Sequence, residues 1–447
     1  MSEIQNDEDI NETSYLKQFA SNPSLVVETV LRGFSVFGYR RNVSTLWNSF
    51  SRGYDCFDDK RLSAIRLLHS AFHSGSLLEG RETLLPAVRA ALFFSKLPQR
   101  RYDTMPASSL NLSQLEFEFI SAAESDAWGR VASVAAEIAS RGETSLLIDL
   151  SRSILLRRNL LSSPSLSALS AVNCALRFDD SLTSSVALPL ASTFSVSSPS
   201  GEIAQIRRYL SRDGMDPERI ASNTFVPDKA EDKKVREALS SSLPELFLKI
   251  AIGQLKDGVS PVHLLELEAE TALLHFHSTP DHASVSPITE VATSMLEINS
   301  FNPFSVFAVY DSLLLGMLIC GLPSAKFSTS SHNGSIHELL LHLEHGNPAP
   351  LISFIRKESK EQDLLFIRHR LSSLAYKCDP TSANEDVPAH VFQVLFPSFG
   401  RGIQLKRGAL LEATIGVALV ISGKCTTAIR DDVIAANNRS TDDDVQG

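Results

Sequence analysis

The chain has 447 residues, 43% of them hydrophobic and 21% charged, with a formal net charge of −10. That length exceeds what one compact core usually organises, and the composition suits a folded globular protein. The acidic balance excludes a protein that coats nucleic acid with its whole surface, but it leaves room for a local basic groove, because phosphate binding depends on where Lys and Arg gather. Five cysteines, Cys56, Cys174, Cys320, Cys378 and Cys425, lie far apart with no CxxC. Their odd number and wide spacing exclude a disulfide framework and a zinc ribbon, and predict free, mostly buried thiols.

Residues 1–14 carry Glu3, Asp7, Glu8, Asp9 and Glu12. They read as an acidic arm, too negative for a signal or transit peptide. Helical periodicity dominates from there. Residues 25–37 are apolar with few breakers. Residues 61–74 set Ile65, Leu68 and Phe72 near one face, with Ser63, Arg66 and Ser70 roughly opposite. Residues 84–97, 115–123, 127–140 and 144–161 continue the pattern, punctuated by Pro106 and Gly142. Residues 15–178 therefore read as an N-terminal helical lobe.

Serines multiply from Ser162 onward. Residues 165–177 keep a helical pattern, whereas 179–201, with Pro189 and Pro199, read as a connector. Residues 228–236 read as a second, mixed-charge connector. Together 179–242 form a hinge with a short helix, the alternative being a long surface loop inside one domain. Helical patterns resume at 243–254, 262–275, 288–298, 304–322, 335–344, 349–357, 362–375, 389–395 and 408–422, giving a C-terminal lobe over 243–430. Residues 431–447, with Asp442, Asp443 and Asp444, read as an acidic disordered tail. The most apolar stretches, 305–322 and 409–421, are interrupted by Asp311 and Glu412 and predict buried helices rather than membrane spans. The expected fold class is all-α, two helical lobes joined by a Ser/Pro-rich hinge, in an intracellular protein with no membrane partner.

Ten of the twelve histidines lie between His263 and His390. The run Ser335-Ile-His-Glu-Leu-Leu-Leu-His-Leu-Glu-His345 misses the HExxH zinc pattern by one residue. His337 and His342 stand five apart, about 140° around a helix. The expected role is a polar helix face with Ile336, Leu339, Leu340 and Leu343 inward, although His342 and His345, at i, i+3, could supply two ligands. His275, His277, Asp281 and His282, with His390, could form a pocket for iron or haem. In this region the chain is similar to helical histidine-bearing oxidases such as the questin-oxidase-like group. His69 and His73, at i, i+4, form the N-terminal histidine pair. There is no phosphate-binding glycine loop, no GxSxG, and no nucleophile motif around a cysteine. The sequence thus assigns no catalytic residue, no metal ligand and no cofactor.

Arginines come in doublets: Arg40-Arg41, Arg100-Arg101, Arg157-Arg158 and Arg207-Arg208, joined by Lys406-Arg407 and the Arg368/Arg370 pair. Several have an aromatic neighbour, such as Tyr39, Tyr102 and Tyr209. Guanidinium forks suit phosphate oxygens and rings can stack on bases. On charge alone, Arg40, Arg41, Arg157 and Arg158 are candidate phosphate contacts, the alternative being pairing with acidic residues on neighbouring helices.

Residues 392–419, FQVLFPSFGRGIQLKRGALLEATIGVAL, combine a Phe-Pro turn, a basic loop and a small-residue helix. This segment resembles the C-terminal lobe of nucleoproteins from non-segmented negative-strand RNA viruses. The resemblance implies two all-helical lobes, RNA in a basic cleft between them, and terminal arms that link neighbouring subunits. It carries over Arg401, Lys406 and Arg407 as phosphate contacts. The expected function is a non-enzymatic, self-assembling RNA-packaging protein that grips the phosphate backbone without reading sequence. Two alternatives stand beside it: a helical protein-binding adaptor or scaffold, and a histidine-dependent metal or haem oxidoreductase.

Overall fold

The computed structural model of the protein describes residues 15, 17, 25–53, 61–77, 80–95, 110–158, 163–179, 182, 185, 190, 201–274, 287–300, 302–322, 334–357, 359–377, 391, 395, 410–411 and 413–422. The all-α expectation holds. Among the described residues the β structure is one isolated bridge, between Phe225 and Val259. None of the described helices is long and apolar enough to cross a membrane.

The first block comprises α1 (Val26–Gly53), α2 (Arg61–Leu77) and α3 (Leu85–Phe94), with a short 3-10 turn over Gly80–Leu84. Helix α1 outlasts the apolar run that predicts it. Its backbone breaks at Gly38 (φ 76°, ψ 176°), one residue after the expected end, and resumes beyond. That region of backbone space is open essentially to glycine alone, so the break sits where the sequence permits it. In α2 the predicted inner face of Ile65, Leu68 and Phe72 is buried, and so is Ser70, which donates to the Arg66 carbonyl.

Helices α4 (Leu112–Glu124), α5 (Trp128–Ser140) and α6 (Thr144–Arg157) form a three-helix unit. Asn111 caps α4 by accepting from the Gln114 backbone while the Gln114 side chain accepts from the Asn111 backbone. This reciprocal arrangement satisfies two otherwise orphaned donors. Helix α7 (Ser163–Phe178) follows and packs on α2 and α6.

Residues 201–242 hold three helices: α8 (Gly201–Arg212), α9 (Pro217–Ala221) and α10 (Lys229–Leu239). The charged stretch 228–236, expected as a connector, lies in α10. Asp228 starts this helix by accepting from the Ala230 and Glu231 backbones, and Val235, Ala238 and Leu239 are its buried stripe. A helix needs only a narrow apolar stripe when a neighbour buries it, so a dense charge pattern does not exclude one.

Helices α11 (Pro244–Lys256), α12 (Pro261–Leu274), α13 (Pro287–Asn299) and α14 (Val306–Ile319) follow, then α15 (Ile336–Glu344), α16 (Ala349–Lys357) and α17 (Glu361–Lys377). Helix α14 is the hub: α8, α9, α10, α11, α12 and α13 all pack on it. Its apolar surface is buried nearly all round, as its near-continuous hydrophobic sequence requires. At Gly316 the Phe247 ring lies so close that a Cβ would stand 1.9 Å from its Cζ. Helix α7 packs along α13, so elements from either side of residues 179–200 share one interior.

Candidate metal centre

Where α2, α7 and α13 meet, four metal-binding side chains converge. His69 and His73 stand one turn apart on α2 and so project from one face. Cys174 comes from α7 and Glu297 from α13. One ligand atom from each lies within 4.8 Å of all the others. His69 Nε2 lies 3.1 Å and 3.0 Å from the two Glu297 oxygens. His73 Nε2 lies 3.4 Å from Glu297 Oε1 and 3.2 Å from Cys174 Sγ. The two imidazole rings stand edge to face, 5.2 Å apart. His69, Cys174 and Glu297 are buried, while His73 keeps 21% of its side chain exposed.

The choice of nitrogen decides what this constellation can do. In a Cys-His-carboxylate relay the imidazole would use one nitrogen for the thiol and the other for the carboxylate. Here the same atom, His73 Nε2, faces both Cys174 and Glu297, and His69 Nε2 faces Glu297 as well. The four donor atoms thus cluster without the two-sided imidazole of a relay. A tetrahedral ion at about 2.0–2.3 Å from nitrogen, oxygen and sulfur donors would hold them roughly 3.3–3.8 Å apart. The contacts of 3.0–3.4 Å lie at or just below that range, and all four atoms lie within 4.8 Å of one another. The donor set of two imidazoles, one thiolate and one carboxylate suits zinc, and the thiolate disfavours magnesium and calcium. Ser170 of α7 donates to Glu297 Oε2 and orients the carboxylate from outside the cluster.

Electrostatics prepare the pocket. Burial would raise the Glu297 carboxyl, but His69 and His73 outweigh it and hold the group below the usual carboxylate range. Burial favours neutral His73, yet Cys174 and Glu297 prevail and push its pKa up to about 9. Burial raises the Cys174 thiol, with His73 pulling the other way. Two neutral imidazoles, one thiolate and one carboxylate would balance a divalent ion, so the loaded site would bury no net charge.

A second buried cluster lies across α6, α13 and α14. Arg152 donates to Asp311 Oδ2 at 2.5 Å and to Asn299 Oδ1 at 3.1 Å, and Asn299 Nδ2 donates to Asp311 Oδ2 at 2.6 Å. The guanidinium also lies over the Phe307 ring, 4.3 Å from its centre. These groups close on one another as a neutral ion pair. Asp311, which interrupts the apolar run in sequence, is there to meet Arg152.

The sequence-predicted phosphate contacts fall in several places. Arg40 lies over the Phe178 ring at 5.7 Å and Arg41 over the Phe37 ring at 4.8 Å, both on α1. Arg157 faces Glu124 at 3.8 Å; Arg158 pairs with Asp126 at 2.7 Å, donates to the Ala123 carbonyl and stacks on Trp128. Arg207 donates to the Leu156 carbonyl and so brings the Arg207-Arg208 doublet to the end of α6 that carries Arg157-Arg158. Arg401, Lys406 and Arg407 lie outside the described residues, as do Arg100, Arg101 and the terminal arms. The proposed iron or haem histidines, His275, His277, His282 and His390, also lie outside them. On α15 the expected polar face is present: His337 and His345 are exposed, His342 is half-buried, and Leu339, Leu340 and Leu343 are buried. Ser335 and Glu338 form its capping box.

Comparison of the chain with protein-family models, with curated proteins and with solved structures finds no match.

The sequence reading assigned no metal ligand and did not bring these four residues together. The one available signal was the i, i+4 pair His69/His73, the spacing that two ligands from one helix need. Its partners stand 101 and 228 residues further along, as the Cys174–His73 and His69–Glu297 contacts record.

Proposed function

We propose that this chain is a helical metal-binding protein that holds one divalent transition metal, zinc in class, through His69 Nε2, His73 Nε2, Cys174 Sγ and a Glu297 oxygen. The observation that carries this reading is that both histidines turn the same nitrogen, Nε2, toward the shared carboxylate. Four protein donors fill a tetrahedral shell, and a closed shell serves structure rather than catalysis. The test is metal analysis of the full chain as purified, followed by cobalt substitution. One equivalent of zinc, and a thiolate-to-cobalt absorption band that Cys174→Ser abolishes, support the assignment. Metal-free protein that takes up neither ion at micromolar concentration overturns it.

The RNA-packaging reading draws support from a separate observation, the approach of Arg207 to the end of α6 that carries Arg157 and Arg158. Three neighbouring cations suit phosphate oxygens, although Glu124 and Asp126 compete for two of them. In this reading RNA would copurify at low salt, give a raised 260/280 nm absorbance ratio, and leave at high salt. A clean protein ratio with a discrete monomer or dimer refutes it.

A further inference from the structure

The ligands of the metal centre come from two separate stretches of chain. Helices α2 and α7 precede residue 179, and α13 follows residue 286. The three helices meet at one seam, where α7 packs on both α2 and α13. Around the cluster the helices present apolar surface: Leu68 and Phe72 on α2, Val172 on α7, Met295 and Leu296 on α13 are buried. Within that surface stand the four ligands and Ser170. When no ion is present, His69, His73 and Ser170 meet the Glu297 carboxylate and Cys174 meets His73 Nε2. A metal would replace these with coordinate bonds to three helices at once.

Resting on the metal reading above, we infer that the ion is a clasp: α13 parts from α2 and α7 in a local opening that must first release the metal. The seam is then a metal-controlled joint between the N-terminal helices and the helices gathered on α14. Free zinc sets how often it opens, while helices remote from the seam keep their own stability. Opening of this kind is a sub-global event, distinct from unfolding of the whole chain.

The experiment is hydrogen–deuterium exchange of the full chain in buffers that fix free zinc over several decades, with bound metal measured in the same samples. If opening expels the ion, protection of α2, α7 and α13 rises in proportion to free zinc above the dissociation constant, about tenfold for each tenfold increase. Over the same range α4 and α5 should not change. Glu297→Gln, which keeps the size and a hydrogen-bonding oxygen but lowers metal affinity, should shift the onset to higher zinc. Bound zinc with no change in seam protection overturns the clasp while leaving the metal assignment standing. Protection that rises equally in every helix overturns it too, because the ion would then stabilise the fold as one unit. Absence of bound metal at any concentration removes both.

Discussion

Two buried polar clusters hold together parts of the chain that are remote in sequence, and they differ in what they lack. The Arg152–Asp311–Asn299 group is complete: a guanidinium, a carboxylate and an amide answer one another. The His69–His73–Cys174–Glu297 group is a cluster of possible ligands: two imidazole nitrogens meet one carboxylate, and a sulfur meets one of those nitrogens. Both lie largely in the interior. The difference lies in donor type. A guanidinium offers no lone pair to a metal, whereas imidazole, thiolate and carboxylate groups can all turn donor atoms to one cation.

The sharpest way to break this comparison is to remove one partner from each. Arg152→Ala leaves Asp311 buried without its cation, and should cost about 3–5 kcal/mol in urea unfolding, with or without zinc. A zinc-dependent loss would show that the two clusters are not independent. Cys174→Ser should matter only when zinc is present. Wild-type protein at roughly a thousandfold excess of zinc over the dissociation constant should gain about 4 kcal/mol, and the variant should lose most of that gain. Equal stability of the two proteins in zinc refutes the assignment of Cys174 as a ligand. On α14, Gly316→Ala drives a methyl group into the Phe247 ring and should cost about 1–3 kcal/mol without altering zinc content.

Glu268 sharpens the comparison from a third side. It is fully buried on α12, and burial raises its pKa well above the ordinary value, opposed by a backbone hydrogen bond from Gly316. The folded state then holds a proton that the unfolded state gives up. Stability should be fullest at or below the ordinary carboxylate pKa and fall as pH rises from there toward the raised value. Glu268→Gln should remove this part of the pH dependence, read as the slope of unfolding free energy against pH. An unchanged slope means that Glu268 is ionised in the fold. The smallest effect is expected on α15, where His337→Ala with His345→Ala should leave zinc stoichiometry unchanged, since both side chains face solvent.

Histidine spacing and direction, rather than number, single out the buried cluster. The run 335–345 is rich in histidine, yet it forms the expected polar face of a helix whose Leu339, Leu340 and Leu343 face inward. The sparse pair His69/His73 has the right spacing, but two ligands do not define a site. The same limit applies to the arginine doublets. Adjacent cations on a helix diverge, and among the described residues Arg40, Arg41, Arg157, Arg158 and Arg207 each found a local carboxylate, carbonyl or ring.

What the sequence determined by itself is the helical character and most helix positions. Apolar spacing, prolines at helix starts such as Pro244 and Pro261, and the caps at Asn111 and Ser335 act over a few residues and need no knowledge of the fold. What only the tertiary structure decided is which helices share a surface. The charged residues 229–239 became a packed helix because α11, together with α12 and α14, offered its apolar stripe a partner. Asp311 became one half of an ion pair because α6 laid Arg152 beside it. Cys174 and Glu297 became candidate ligands because α7 packed on both α2 and α13. Local patterns fix torsions, but a site of four donors from three helices exists only after the hydrophobic surfaces between them have been matched.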